Sequence, residues 1–322
     1  MASNSDSGIP PFFMFGFERS GTTLLSMMMG AHPRLAVPLS TTGLWYRYAQ
    51  RLPEYLPLED RANLERLIDD LLDEKRIRLW DASFSREQVL ADFAPRDLAG
   101  VVARFHGLYA RYHGKPHWGS IDIATLTHMD IANRWFPDAR FIHIVRDGRD
   151  VALSHETYVY GAATTLDCAE KWDRMVRMNL KMGAMIAPER YKRIRYEDLV
   201  LDSERVLREL CDFIGVDYSP RMLEYHRGVD KKVPETHRFL WPALNKPPVK
   251  DKVLGWKARM SASKRIVFEG IAGDLLRELG YESYPTVPKS VGGYAYELWC
   301  FLGRGGRIRR FMARLPRKHP SR

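Results

Sequence analysis

Gly16-Phe17-Glu18-Arg19-Ser20-Gly21-Thr22-Thr23 has the G-x-x-x-x-G spacing of a loop that wraps an anion. Successive backbone N–H groups and the start of a following helix can then converge on one phosphate or sulfate. A loop that binds a nucleoside triphosphate carries a lysine directly after its second glycine, to reach the β- and γ-phosphates. Thr22 stands there instead, and the positive charge comes from Arg19 inside the loop. The chemistry indicated is the grip and polarisation of an anionic group other than the triphosphate of ATP.

The elements around this loop set its position. Phe12–Phe15 is a short apolar run ended by Gly16, and Gly21–Met29 carries a helical pattern, which together predict strand, tight loop and helix. Apolar residues recur at helical spacing over 56–78 and over 95–113, with Pro95 suited to a first helical position. A helix over 127–135 leads into the buried-strand pattern Ala139–Asp147, and a new helix opens at Gly148 or Arg149. Further on, 166–186 reads as a long helix, Tyr191–Tyr196 as a strand, and Asp202–Phe213 as a helix with Asp202 at its N-cap. Strands alternating with helices predict a single α/β domain, resembling phosphate-loop proteins, with a mainly parallel central sheet and helices on both faces. Residues 228–253 hold four prolines and no period, so a long irregular segment is expected there. A last helix over 262–279 should close at Gly280, with a linker over 285–293.

Composition narrows the class. The 322 residues are 45% hydrophobic and 28% charged, as in globular chains, and no apolar run reaches the length of a membrane span. No secretory leader is recognisable, so a cytoplasmic protein is expected. Cys168, Cys211 and Cys300 are far apart, which predicts neither a disulfide framework nor a metal site. The net charge is +10, yet residues 303–322 alone carry eight basic residues and no acid, leaving +2 for everything else. The basic character therefore belongs to one end and predicts no specific nucleic-acid face.

Arg19-Ser20-Gly21-Thr22-Thr23-Leu24-Leu25, followed by Ala31-His32-Pro33, resembles the 5′-phosphosulfate loop of sulfotransferases that use 3′-phosphoadenosine 5′-phosphosulfate. The run Phe136–Ser154, with Val145-Arg146-Asp147 at its centre, resembles the 3′-phosphate segment of the same family. The resemblance implies that residues 19–24 hold the phosphosulfate and that Arg146 and Ser154 hold the 3′-phosphate. Taken alone, Arg146 could equally pair with Asp147 or Asp150, and Ser154 could be an ordinary helix serine. Arg195-Tyr196-Glu197-Asp198-Leu199 and Gly255-Trp256-Lys257-Ala258-Arg259 extend the likeness to about residue 281. They imply nucleotide contacts from Tyr196, Trp256 and Lys257, against the plainer readings of a core aromatic and a solvated basic loop. The implied layout is a sulfotransferase domain over 1–285 and a basic, partly apolar tail over 286–322. The co-substrate would leave as 3′-phosphoadenosine 5′-phosphate, and the chemistry needs no metal.

Two positions depart from the family pattern. A glutamate base often follows the His-Pro pair, and its place here falls at Ser40; a lysine near the sulfate is replaced by Ile121. Asp122 is then the nearest acid, a candidate relocated base or simply a capping carboxylate, while His117 and His128 flank it. The expected catalytic set is Arg19, Asp122 and Ser40, acting on a hydroxyl or amine of a carbohydrate, lipid or small metabolite. A phosphate-loop kinase and a nucleotide-binding pseudoenzyme are the alternatives. In the tail, Trp299, Phe301, Leu302, Ile308 and Phe311 interleave with arginines, a composition suited to peripheral contact with an anionic membrane surface.

Overall fold

The computed structural model describes residues 8–39, 43–156, 162, 164–233, 235–236 and 244–283. Ser40, the 285–293 linker and the basic tail lie outside the described residues. Five strands, β1 (Phe12–Phe15), β2 (Leu35–Ala36), β3 (His117–Ile121), β4 (Arg140–Val145) and β5 (Tyr191–Arg195), form one sheet in the order β2-β3-β1-β4-β5. Every pairing is parallel, with Phe12 opposite Gly119 on one side and Arg140 on the other. Fourteen α-helical stretches occur among the described residues: α1 (Thr22–Gly30), α2 (Leu44–Arg51), α3 (Arg61–Asp73), α4 (Lys75–Arg78), α5 (Arg86–Leu90), α6 (Leu98–Tyr112), α7 (Thr125–Trp135), α8 (Gly148–Glu156), α9 (Thr165–Gly183), α10 (Tyr196–Leu201), α11 (Ser203–Ile214), α12 (Val229–Lys232), α13 (Trp256–Arg259) and α14 (Ala262–Glu278).

The side-chain period of two, with both faces covered, explains why the middle strand β1 is apolar throughout. On β1, Phe12 and Met14 face the main core with Ile142 and Ile144 of β4, Leu25 and Met28. Phe13 and Phe15 face the other way, stacking on Phe141 at 5.8 Å and on His143 at 5.0 Å between ring centroids. All four β1 residues are buried, as a parallel sheet covered on both faces requires. Burial pulls His143 and His106 down to about 3, so both rings are neutral members of the core.

The chain divides into two compact units. The first, residues 1–146 with 175–253, contains the whole sheet; the second comprises 147–174 with the segment from 254 onward. In the second, α14 begins at Ser261, whose hydroxyl accepts from the Lys264 N–H. It ends as expected at Gly280, which has φ +78 and lets the Tyr281 N–H reach the Leu276 carbonyl at 2.8 Å.

Several local expectations are corrected. Pro95 precedes α6 without entering it; Asp97 is the N-cap and accepts from the Gly100 N–H at 2.9 Å. Asp202 stands at the N-cap of α11 but makes no capping bond, because its carboxylate takes the Arg205 guanidinium at 2.8 Å. Tyr196 opens α10 and does not end β5. The helical pattern over 56–78 resolves into α3, started by Asp60, and the single turn α4. Strands β2 and β3 were not legible as strands, since one is two residues long and the other holds His117, Gly119 and Ser120. Replacing the α6 cap, Asp97→Ala, should cost about 1 kcal/mol in urea unfolding, whereas Pro95→Ala should cost a fraction of that.

Candidate active site

Strand β1 leads through α1 toward β2 and β3 on one side of the sheet, while β4 is succeeded by β5 on the other. That reversal opens a crevice outside the carboxyl ends of β1 and β4, the usual ligand position in open α/β sheets. The loop 16–21 leaves β1 there, and Arg146 directly follows the last residue of β4.

The loop depends on two glycines for different reasons. A Cβ on Gly16 would lie 2.4 Å from the Ile144 carbonyl oxygen, so only a bare residue lets the end of β1 pass β4. Gly21 has φ +93, and a Cβ there would strike the Tyr196 ring at 2.3 Å. Between them, the Ser20 N–H donates to the Phe17 carbonyl at 3.0 Å and Arg19 takes φ +65. The N-terminus of α1 has no side-chain cap and no acid in its first turn, so its partial positive charge is not neutralised from within the helix. The Ser20 hydroxyl is fully buried and has no hydrogen-bond partner among the described residues. Such a group costs about 1–3 kcal/mol, a cost that an oxyanion seated in the loop would remove.

Arg146 ties the crevice together. One Nη donates to the Arg19 carbonyl at 3.0 Å and the other to the Lys252 carbonyl at 2.9 Å. Its guanidinium lies 4.4 Å from the centroid of the Tyr196 ring, and its buried Nε has no partner among the described residues. The orphaned Ser20 Oγ, the orphaned Arg146 Nε and the uncapped helix are all donors, so this unit fits an anionic ligand.

Asp122 directly follows β3 at the same end of the sheet. Its two carboxylate oxygens accept from the Gly43 N–H at 2.9 and 2.8 Å, and one also accepts from the Ala124 N–H at 3.0 Å. It thereby fixes the start of α2 and the turn into α7. Ile121 beside it is buried. The Nε2 of His117 meets an Arg34 Nη at 3.1 Å, and the His128 Nδ1 lies 2.9 Å from the Ala124 carbonyl. The His32 ring bonds the Asp217 carbonyl at 2.8 Å, which makes the His-Pro pair a structural turn.

The second unit is organised by one buried charge. Arg149 is inaccessible, bonds the Asp147 carboxylate at 2.8 Å and the Glu269 carboxylate at 2.6 Å, and lies 3.6 Å from the centroid of the Trp256 ring. Burial alone would lower its pKa, but the hydrogen bonds and charges of the two acids outweigh that and hold it above the ordinary arginine value. Asp150 accepts from the Trp256 N–H at 2.7 Å. A Cβ on Gly148 would meet the Phe268 ring at 2.3 Å, so α8 and α14 touch through a bare residue. Ser154 is half-buried on α8, and Lys257 pairs with Glu282 at 2.6 Å.

The expected site residues thus fall in two groups. Arg19, Ser20, Gly21, Thr22, Thr23, Leu24, Arg146 and Tyr196 gather at the sheet edge of the first unit, with Asp122 at the end of β3; Ser154, Trp256 and Lys257 belong to the second. Sequence reasoning left Arg149 and Glu269 without a role. They are 120 residues apart, and nothing local announces their pairing.

Residues 10–220 match the sequence model of the Sulfotransferase family. The chain belongs to that family. It is 26% identical over 228 residues to protein-tyrosine sulfotransferase 2 of Gallus gallus, a match covering 69% of this chain and 56% of that protein. The matched region spans about half the length of such curated relatives. Among solved structures, the sulfotransferase domain of the Synechococcus PCC 7002 olefin synthase superposes with a TM-score of 0.60 at 21% identity, covering 88% of this chain and 100% of that one. The sulfotransferase domain of the curacin biosynthetic pathway gives 0.56 at 19% identity over 86% of this chain and 100% of that one. Both likenesses show a shared fold.

Removing Glu269 should leave Arg149 buried with half its counter-charge. Glu269→Ala is therefore expected to cost about 3–5 kcal/mol, read as a lower urea midpoint, a far larger loss than at exposed pairs such as Arg61 with Glu65.

Proposed function

We propose that this sulfotransferase-family chain transfers the sulfuryl group of 3′-phosphoadenosine 5′-phosphosulfate to a nucleophilic oxygen or nitrogen, without a metal. The observation that carries the reading is the uncapped loop, with the buried Ser20 hydroxyl lacking a partner and Arg19 at its apex. That co-substrate supplies a sulfuryl group on a phosphate leaving group. Loop amides from Gly21 to Leu24 and the Ser20 hydroxyl bind the leaving-group end, and Arg19 offsets charge that grows on the bridging oxygen. Arg146 offers its Nε to the 3′-phosphate, exchanging a carbonyl partner for a phosphate oxygen as needed. In the second unit, Ser154, Trp256 and Lys257 are taken as nucleotide contacts on the sequence resemblance alone.

The acceptor proton is the harder question. With Ser40 in the usual place of the glutamate base, an acceptor that loses its proton readily is favoured over a plain alcohol. A phenol, with a pKa near 10, meets this requirement, and the curated relative named above carries tyrosine in its name. Other acceptors of the class are sugar or lipid hydroxyls and amines of small metabolites. Asp122 is proposed as the acid nearest the transfer, positioned by Gly43 and Ala124, with Ser40 as the residue in the usual base place. The tail is assigned to peripheral contact with anionic membrane at the cytoplasmic side; no described helix is long and apolar enough to cross a bilayer.

Calorimetry tests the nucleotide first. The full chain should bind 3′-phosphoadenosine 5′-phosphate and not ATP with magnesium; the reverse would overturn the reading in favour of a kinase. Arg19→Ala should abolish labelled sulfuryl transfer to phenols, while Arg146→Ala should chiefly weaken nucleotide binding, by about tenfold or more for a lost charged contact. Deleting residues 299–322 should reduce flotation with anionic vesicles; unchanged flotation would refute the membrane assignment.

A further inference from the structure

A second polar cavity lies in the first unit, at the opposite end of α1 from the loop. Its volume is about 130 Å³, and Gly30 and Ala31, where α1 ends, form part of its wall. Six polar side chains line it: Asp81, Tyr109, His113, Lys115, Tyr225 and Lys232. None of them belongs to the site described above.

The charges in this cavity do not balance. Asp81 is its only acid, and that carboxylate already accepts from the Tyr109 hydroxyl at 2.6 Å, with the His113 Nε2 3.5 Å away. Lys115 directs its ammonium to the Gly30 and Leu35 carbonyls at 2.6 and 3.0 Å. Lys232 makes no hydrogen bond among the described residues, although its Nζ abuts the helix end so closely that a Cβ on Gly30 would lie 2.5 Å away. The Tyr225 hydroxyl is committed to the Lys246 carbonyl at 2.8 Å. Lys232 is half-buried, and an ammonium with reduced access to water gains from a partner of opposite charge.

We propose that this cavity is a binding site for a small tetrahedral oxyanion, free sulfate or phosphate or the anionic end of a small ester, held between Lys115 and Lys232. Two ammonium groups against one engaged carboxylate leave room for one added negative group. The lysines supply donors of the required kind, and the hydroxyl of Tyr109 closes the polar wall. Burial pulls both ammonium groups down to about 8, with Asp81 acting in the opposite direction and Lys115 adding repulsion at Lys232. His113 is lowered too, first by burial and then by the two lysines, against Asp81.

The sign of the pH dependence follows. A lysine whose folded pKa is depressed disfavours the fold as pH falls from the unfolded value near 10.5 toward 8, because the unfolded chain takes up the proton first. An anion binds the charged form, so it should return that lost stability at neutral pH and do little once both lysines are neutral.

The test is thermal unfolding of the full chain with millimolar sodium sulfate against sodium chloride of equal ionic strength. Sulfate keeps its charge across the range. The midpoint should rise at pH 7 and the rise should vanish by pH 9.5. It should persist in Arg19→Ala, which separates this cavity from the loop, and be lost in Lys232→Gln. Gly30→Ala, which displaces the ammonium without removing it, should weaken sulfate affinity at least fivefold by calorimetry and serves if Lys232→Gln does not fold. Glycerol 3-phosphate acting at lower concentration than sulfate would identify an ester as the ligand; equal or weaker action would identify the free ion. A sulfate effect equal in wild type, Lys232→Gln and Gly30→Ala, or one unchanged at pH 9.5, would overturn the proposal.

Discussion

The close passage of β1 and β4 is the constraint on which the rest of the candidate active site depends. At Gly16 the end of one strand runs against the Ile144 carbonyl of the other with no space for a methyl group. That contact turns the chain directly into the loop, brings the first turn of α1 to the sheet edge, and puts Arg146 within reach of the loop's own carbonyl. Apart from the Arg146 guanidinium, the donors of this edge come from backbone and the short Ser20 side chain, so they are held by covalent geometry and sheet pairing. A long flexible side chain would have to be ordered to do the same work.

The second unit solves a different problem with a different device. Its core includes a charged residue, Arg149, whose guanidinium is bracketed by two carboxylates and covered by an indole. Isolated, such a charge would be expensive to bury; bidentate pairing and stacking offset the lost hydration. The arrangement fixes Trp256 by both its ring and its backbone amide, so the position of residues 255–259 is set from the start of α8.

Much of this was legible in the residues. The β1-loop-α1 unit was plain, because an apolar run, paired glycines and a helical pattern occur within 20 residues, and β4 followed from the run Phe141–Val145, apolar but for His143, ahead of Arg-Asp. The alternation of elements predicted a mainly parallel sheet, and every pairing is in fact parallel. What escaped notice shares a cause: it depends on partners far away in sequence. Strand β3 is a strand because β1 and β2 flank it, although His117, Gly119 and Ser120 give it no strand-like pattern. Asp97 displaced Pro95 as the start of α6, since a carboxylate that accepts an N–H outcompetes a residue that merely tolerates the position. Nothing local to Lys115 or Lys232 announces that packing places both in one cavity.

Arg146 contributes both Nη groups to backbone carbonyls on two chain segments, one at residue 19 and one at residue 252. On the proposed assignment of Arg146 to a phosphate, those carbonyls and the incoming group would compete for the same guanidinium. Occupancy of the crevice would then be linked, through exchange of hydrogen-bond partners at a single side chain, to release of the 252 segment. By reciprocity, whatever tightens that segment onto Arg146 raises the free-energy cost of ligand entry.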